Sequence, residues 1–167
     1  AALLNWRRPP WAETPGRQLE AWRRRFMDEV ITPAIRPTAR ELVARHASQG
    51  DLCAIITATN DFVTAPIARA LGIEHLIATR VECRDGRYTG RWVGTPTYRE
   101  GKVARTDEWL RSLGHDWSAF ERSWFYSDSA NDIPLLSRVS DPVATNPDER
   151  LAAHARAHGW SVIRLFE

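Results

Sequence analysis

Lysine is all but missing from this chain of 167 residues: the Lys and Arg side chains number 23, and Lys102 is the lone lysine among them. Cysteine is scarce as well. Cys53 and Cys83 have no metal-ligand spacing, which excludes a disulfide framework and a structural zinc site, and both read as buried, reduced and structural. No apolar run approaches the roughly 20 residues of a membrane-spanning helix. The opening Ala1-Ala2-Leu3-Leu4-Asn5-Trp6-Arg7-Arg8 also lacks the charged-then-apolar order of a secretory signal, so the cytoplasm is the expected location and a membrane is not an expected partner. Charge of one sign is missing too. The formal net charge is +2, with arginine spread against Asp and Glu and no basic stripe, which sets nucleic acid aside as a partner. No repeat or low-complexity tract appears, and the oligomeric state is not legible.

The length fits one domain with a small appended subdomain. Pro9, Pro10 and Pro15 mark Ala1 to Gly16 as loop, after which Leu19, Trp22, Phe26 and Val30 repeat at helical spacing with Arg23, Arg24 and Arg25 largely on the wet side. Trp22, Trp109 and Trp160 fall where a large apolar residue packs against a core, and Trp6 and Trp11 read as core or interface packing. A second helix, capped by Thr38, is expected to His46, then a strand at Leu52 to Ile56 buried on both faces, and a helix through Leu71. His75 to Ala78 is another short strand. Val81 to Arg84 and Arg87 to Val93 flank Asp85-Gly86 as a hairpin, because Asp-Gly supplies the positive φ angles of a tight turn. A helix from Lys102 to Leu113, a strand at Trp124, a short helix, a strand at Pro142 to Thr145, a helix from Asp148 to His158 and a strand from Ser161 to Leu165 complete the pattern. Strands alternating with helices predict an α/β fold, a parallel sheet clothed on both faces with ligands outside the carboxyl ends of its strands.

Chemistry concentrates in Trp124 to Leu136, WFYSDSANDIPLL, where an apolar run ends in Asp128 and Asp132. Carboxylates at i and i+4 share a helix face, and their mutual repulsion asks for a cation or a basic side chain between them. Hard oxygen donors with Asn131 and Ser129 beside them suit Mg2+ better than zinc. The competing reading of Asp128 is an N-cap on a surface helix. Lys102, at the start of its helix, offers a compact ammonium suited to meeting a phosphate oxygen and neighbouring carboxylates as a point charge; the alternative is a surface lysine that escaped a bias to arginine. Thr57 ends a strand, and its hydroxyl with the following N–H, that of Ala58, can hold phosphate oxygens at a strand-to-helix turn.

Ile55-Ile56-Thr57-Ala58-Thr59, Gly101-Lys102-Val103 and Tyr126-Ser127-Asp128-Ser129-Ala130-Asn131-Asp132-Ile133-Pro134-Leu135-Leu136 together resemble the second, third and fourth motifs of the haloacid dehalogenase-like phosphohydrolases, in the phosphoserine-phosphatase-like branch called subfamily IB. Asp85 to Gly90, Asn146-Pro147-Asp148 and Gly159-Trp160 resemble that branch as well. The resemblance implies a Rossmann-like fold, incomplete at the N-terminus, with residues 1–32 the remnant of a helical cap and residues 33–167 a core lacking its first strand. It implies a Mg2+-dependent phosphomonoester hydrolase acting through a phospho-aspartate on a small phosphorylated metabolite, phosphoserine and histidinol phosphate among the possibilities. Lys102 and Asp132 would be catalytic; Thr57, Ala58, Lys102 and Asn131 would bind phosphate. Asp128 would ligate the metal, with Asp132 supporting it through water or orienting the lysine. The family's first motif, an Asp-x-Asp carrying the nucleophile, has no counterpart: the first aspartate, Asp28, falls inside a helix. The chain by itself is therefore expected to be inactive, or else a noncatalytic remnant binding a phosphate ligand or a protein partner.

Overall fold

A computed structural model describes residues 14–165. Trp6 and Trp11, and nearly all of the loop expected at the start, lie outside the described residues. The chain forms two compact units, Ala1–Pro96 and Thr97–Glu167. Among the described residues no helix is long and apolar enough to cross a membrane.

In the first unit, helix α1 (Gly16–Phe26) runs into a π-helical turn at Met27–Ile31 and a last helical turn at Thr32–Ala34. The periodic residues split in burial: Leu19 is buried, but Trp22 is 52% exposed, correcting its expected place in a core. The reason is that the apolar face of α1 meets its neighbours across a cleft of about 440 Å3 that Trp22 and Phe26 line together with Phe62 and Tyr88. Arg23 is the second correction. Its side chain is only 18% exposed, donating to the Phe62 carbonyl at 3.0 Å with its guanidinium 4.6 Å from the Phe62 ring centroid, a cation–π contact that turns the residue inward. Helix α2 (Pro37–Ser48) starts two residues earlier than a Thr38 cap would allow, because Arg36 is the N-cap and Pro37 occupies the first turn, where its fixed φ is pre-organised for helix.

Strand β1 (Ala54–Asn60) leads into α3 (Asp61–Ala70), whose first turn is capped by Asn60 Oδ1 accepting from Val63 N at 3.0 Å. The two short runs expected at His75 and Val81 form one strand, β2 (His75–Arg84). Its first half pairs parallel with β1 and its second half pairs antiparallel with β3 (Arg87–Val93). Asp85 and Gly86 take φ 49° and 73°, the two positive angles of a type I′ turn. The order β1-β2-β3 gives β1 one neighbour among the described residues, and its residues are at best half-buried, not buried on both faces as expected. Cys83 also departs from expectation: it lies near the hairpin tip and is exposed, whereas Cys53 is half-buried.

The second unit contains α4 (Glu100–Ser112), β4 (Trp124–Ser127), a 3-10 turn at Ala130–Asp132, α5 (Ile133–Leu136), β5 (Asp141–Thr145), α6 (Glu149–His158) and β6 (Ser161–Ile163). Its sheet, β4-β5-β6, is parallel throughout. Leu136, Ala144, Leu151 and Ala155 are fully buried, with Phe125, Ile133 and Trp160 packed against them. Truncating either leucine to alanine removes about 2–5 kcal/mol. Parallel strands flanked by helices make the fold α/β, in agreement with the alternation read from the sequence.

Candidate active site

Ser127 ends β4 on the face opposite Tyr126, as strand alternation requires, and is buried. Its hydroxyl donates to Asp132 Oδ2 at 2.7 Å and accepts from Ser129 N at 3.2 Å, so one side chain fixes both ends of the acidic turn. Asp132 Oδ2 also accepts from Lys102 Nζ at 2.6 Å, and both side chains of this pair are 9% exposed. The ammonium lies 5.7 Å from the Phe125 ring centroid, a second favourable contact for a charge drawn out of water. Lys102 is placed by the first turn of α4, and the hydroxyl of Thr106 accepts no share of the charge; it donates to the Lys102 carbonyl at 2.8 Å, within the helix.

Asp128 contrasts with Asp132. Its side chain is exposed and, among the described residues, accepts no hydrogen bond, while its own carbonyl is held by Asp148 N at 2.8 Å. Asp148 clamps the turn from the other side as well. Oδ2 accepts from Ala130 N at 2.9 Å and Oδ1 accepts from Leu151 N at 2.7 Å, the N-cap bond of α6. Those N–H groups, Ala130's first, hold the Asp148 carboxyl below the usual carboxylate range. Asn131 Oδ1 accepts from Tyr98 Oη at 3.3 Å and from Arg99 Nε at 3.2 Å.

The structure thus brings the Lys102 ammonium from α4 against the short turn that carries Asn131 and Asp132, with Asp128 just before it. Thr57 belongs to the first unit. There the pairing of β1 with β2 steps from Thr57↔Ala78 to Asn60↔Thr79, so Ala58 and Thr59 fall in an irregularity of the ladder. Thr57 Oγ1 accepts from Thr59 N at 3.1 Å, and among the described residues its own proton has no acceptor. Sequence reasoning missed the roles of Ser127, Tyr98, Arg99 and Asp148. Strand alternation through Phe125 was the available signal for Ser127, and the Asp148 cap was the signal for its clamp; Tyr98 and Arg99 carried none.

A family model described as haloacid dehalogenase-like hydrolase matches residues 7–137. The chain belongs to the haloacid dehalogenase-like hydrolases. It is 42% identical over 165 residues to a Neisseria meningitidis serogroup C protein named histidinol-phosphatase, covering 98% of this chain and 74% of that protein. It is 39% identical over 146 residues to a Mycobacterium tuberculosis protein named phosphoserine phosphatase, covering 87% of this chain but 46% of that protein, so it spans about half the length of that relative. A crystal structure of a Bordetella pertussis Tohama I protein of unknown function superposes with a TM-score of 0.92 at 53% identity, covering 93% of this chain and 70% of that one.

Proposed function

We propose that this chain carries the charge-stabilising part of a Mg2+-dependent phosphomonoester hydrolase acting on a small phosphorylated metabolite, with the phosphatase names of its relatives in support. The observation that carries the reading is the buried Lys102–Asp132 pair, held by Ser127 at the carboxyl end of a parallel strand. Phosphoryl transfer needs positioning and charge stabilisation more than covalent help from the protein. Lys102 supplies a fixed positive charge to the equatorial phosphoryl oxygens. Asp132 and Ser127 limit its ammonium to one position, so of the two roles open to Asp132 the orienting one accounts for both hydrogen bonds on its Oδ2. Thr57 donates its hydroxyl proton, and Ala58 its N–H, to other phosphoryl oxygens; Asn131 positions the group through its amide.

Asp128 would hold the metal. Its carboxylate is exposed and free of hydrogen bonds from described residues, a hard oxygen donor of the kind Mg2+ takes one or two of while keeping several waters. When bound, Mg2+ would offset charge on the phosphoryl oxygens.

The covalent step in this reading belongs to an Asp-x-Asp: the first carboxylate takes the phosphoryl group from the ester oxygen, the second protonates the departing alcohol, and water then releases phosphate. No Asp-x-Asp occurs in these 167 residues. The chain alone is accordingly inactive in this proposal, with the described part of residues 1–32, from Thr14 on, read as part of a helical cap. In the natural protein, hydrolysis of p-nitrophenyl phosphate, histidinol phosphate or phosphoserine should require divalent metal, stop with EDTA, and disappear in Lys102→Ala and Asp128→Asn. Turnover indifferent to all three changes would sink the proposal. The missing Asp-x-Asp favours one other reading, a noncatalytic phosphate-binding remnant, whose result would be phosphate binding without turnover in the natural protein.

A further inference from the structure

Arg99 occupies a backbone conformation that an L-residue rarely adopts, φ 50° with ψ −121°. Gly101 N donates to the Tyr98 carbonyl at 2.9 Å, closing Tyr98-Arg99-Glu100-Gly101 into a β-turn with the angles of type II′ at its second position. That position favours glycine, and any other side chain there carries strain. The charge is badly placed for stability too. Arg99 is the N-cap of α4, where the helix dipole disfavours a cation. Two unfavourable choices at one residue call for a return elsewhere.

The side chain shows where. Arg99 Nε donates to Asn131 Oδ1, and the guanidinium carbon lies 5.2 Å from the Tyr98 ring centroid, so the group is aimed and stacked. Lys102, from the same helix start, reaches the next residue, Asp132. One helix start therefore fastens two cations to consecutive residues of the acidic turn, and the two differ in whether a carboxylate meets the charge. Lys102 is buried against a carboxylate. Arg99 is exposed, forms no ion pair with a described residue, and is anchored through Nε to a neutral amide, which leaves its terminal nitrogens with an uncompensated charge.

We propose that Arg99 is an anion-binding residue whose terminal nitrogens take the phosphate oxygens of the substrate beside Lys102, a fork suited to a tetrahedral oxyanion. The inference rests on the phosphomonoesterase reading. The test uses the natural protein with Arg99→Gly and Arg99→Lys, measuring inorganic phosphate affinity by calorimetric titration, KM and kcat with p-nitrophenyl phosphate, and thermal midpoint. Arg99→Gly should weaken phosphate binding roughly 10- to 100-fold, the equivalent of one charge-assisted hydrogen bond. It should also leave the midpoint equal or higher, since the strain is relieved. Arg99→Lys, with charge but no fork, should fall between. Phosphate affinity that depends on Arg99 in a protein without phosphomonoesterase turnover would keep the inference and overturn the hydrolase reading. Turnover with phosphate Kd and KM unmoved by either variant would overturn the inference alone. A lowered midpoint with unchanged phosphate Kd would make Arg99 structural, and a wild-type protein that binds no phosphate would overturn it as well.

Discussion

Breaking the Lys102–Asp132 pair one charge at a time should cost far more than removing it whole. The two side chains are 9% exposed each and 2.6 Å apart, so solvent screens them little. Asp132→Asn preserves shape and can keep the Ser127 contact, but it strands a buried ammonium whose other neighbour is an aromatic face. Stranding one partner of a buried pair costs about 3–5 kcal/mol. At about 2–4 °C per kcal/mol for a protein of this size range, even the lower figure moves the thermal midpoint down by about 6–12 °C. Lys102→Met strands the carboxylate instead, with Ser127 as its remaining donor, and should cost a similar amount. The double variant Lys102→Met with Asp132→Leu removes both desolvation penalties and fills the space with apolar atoms. It should be more stable than either single variant while retaining no phosphomonoesterase activity in the natural protein. Urea unfolding followed by tryptophan fluorescence of the wild type, Lys102→Met, Asp132→Leu and their double variant closes a double-mutant cycle that reads the coupling directly. Single variants that each lose less than about 1 kcal/mol, or a double variant equal to their sum, would refute the claim that the pair is buried and mutually dependent.

Asp148→Ala should cost about 1–2 kcal/mol by removing the N-cap of α6 together with the clamp on Ala130 N. Because those N–H bonds depress the carboxyl in the folded state, their contribution is complete above the ordinary aspartate pKa and is lost as pH falls through the folded value. The stability gap between wild type and variant should therefore be full at neutral pH and narrow below about pH 4; a gap constant into acid would contradict this. Thr57→Ser should keep phosphomonoesterase activity in the natural protein, whereas Thr57→Val should lose about 10- to 100-fold in kcat/KM, and equal activities would remove Thr57 from the mechanism. With a maleimide, exposed Cys83 should react at least roughly tenfold faster than Cys53, whose thiol is pushed up by burial and then by the Asp51 charge; mass spectrometry after brief labelling distinguishes the two.

Elements were legible wherever their signal is local. The Asp85-Gly86 hairpin and the acidic turn are written in residues that need particular backbone angles or hydrogen bonds, and each stands where the pattern placed it. Direction was less legible. The period of α1 marks an apolar stripe correctly, but period cannot say how much of the stripe a neighbour covers, so Trp22 was misplaced; nor does it show that Arg23 can bury its stem against Phe62 while its nitrogens reach a carbonyl. The join of two short apolar runs into β2 was invisible for a related reason. One strand with different partners along its length changes from one pairing geometry to another without a turn residue between them. Arg99 was missed because turn reading looks for Gly, Asn or Asp, and this turn has an arginine in the glycine position.

Two strand hydroxyls show how one local device yields different chemistry. Thr57 on β1 and Ser127 on β4 each accept from the N–H two residues on, at 3.1 and 3.2 Å, which fixes the oxygen and leaves one proton to give. Ser127 gives it to Asp132, so its hydrogen-bonding capacity goes to holding the partner of Lys102. Thr57 has no such acceptor among the described residues, and it stands where the regular pairing of β1 with β2 breaks, toward the carboxyl side of a parallel strand, the side on which α/β sheets receive ligands. A hydroxyl whose oxygen is fixed and whose proton is uncommitted is pre-organised to donate, and donation to an anion is the hydrogen bond of greatest worth to a threonine. A similar contrast separates Asp128 from Asp132: the buried carboxylate has its Oδ2 taken by both Lys102 and Ser127, and the exposed one accepts no hydrogen bond from the described residues.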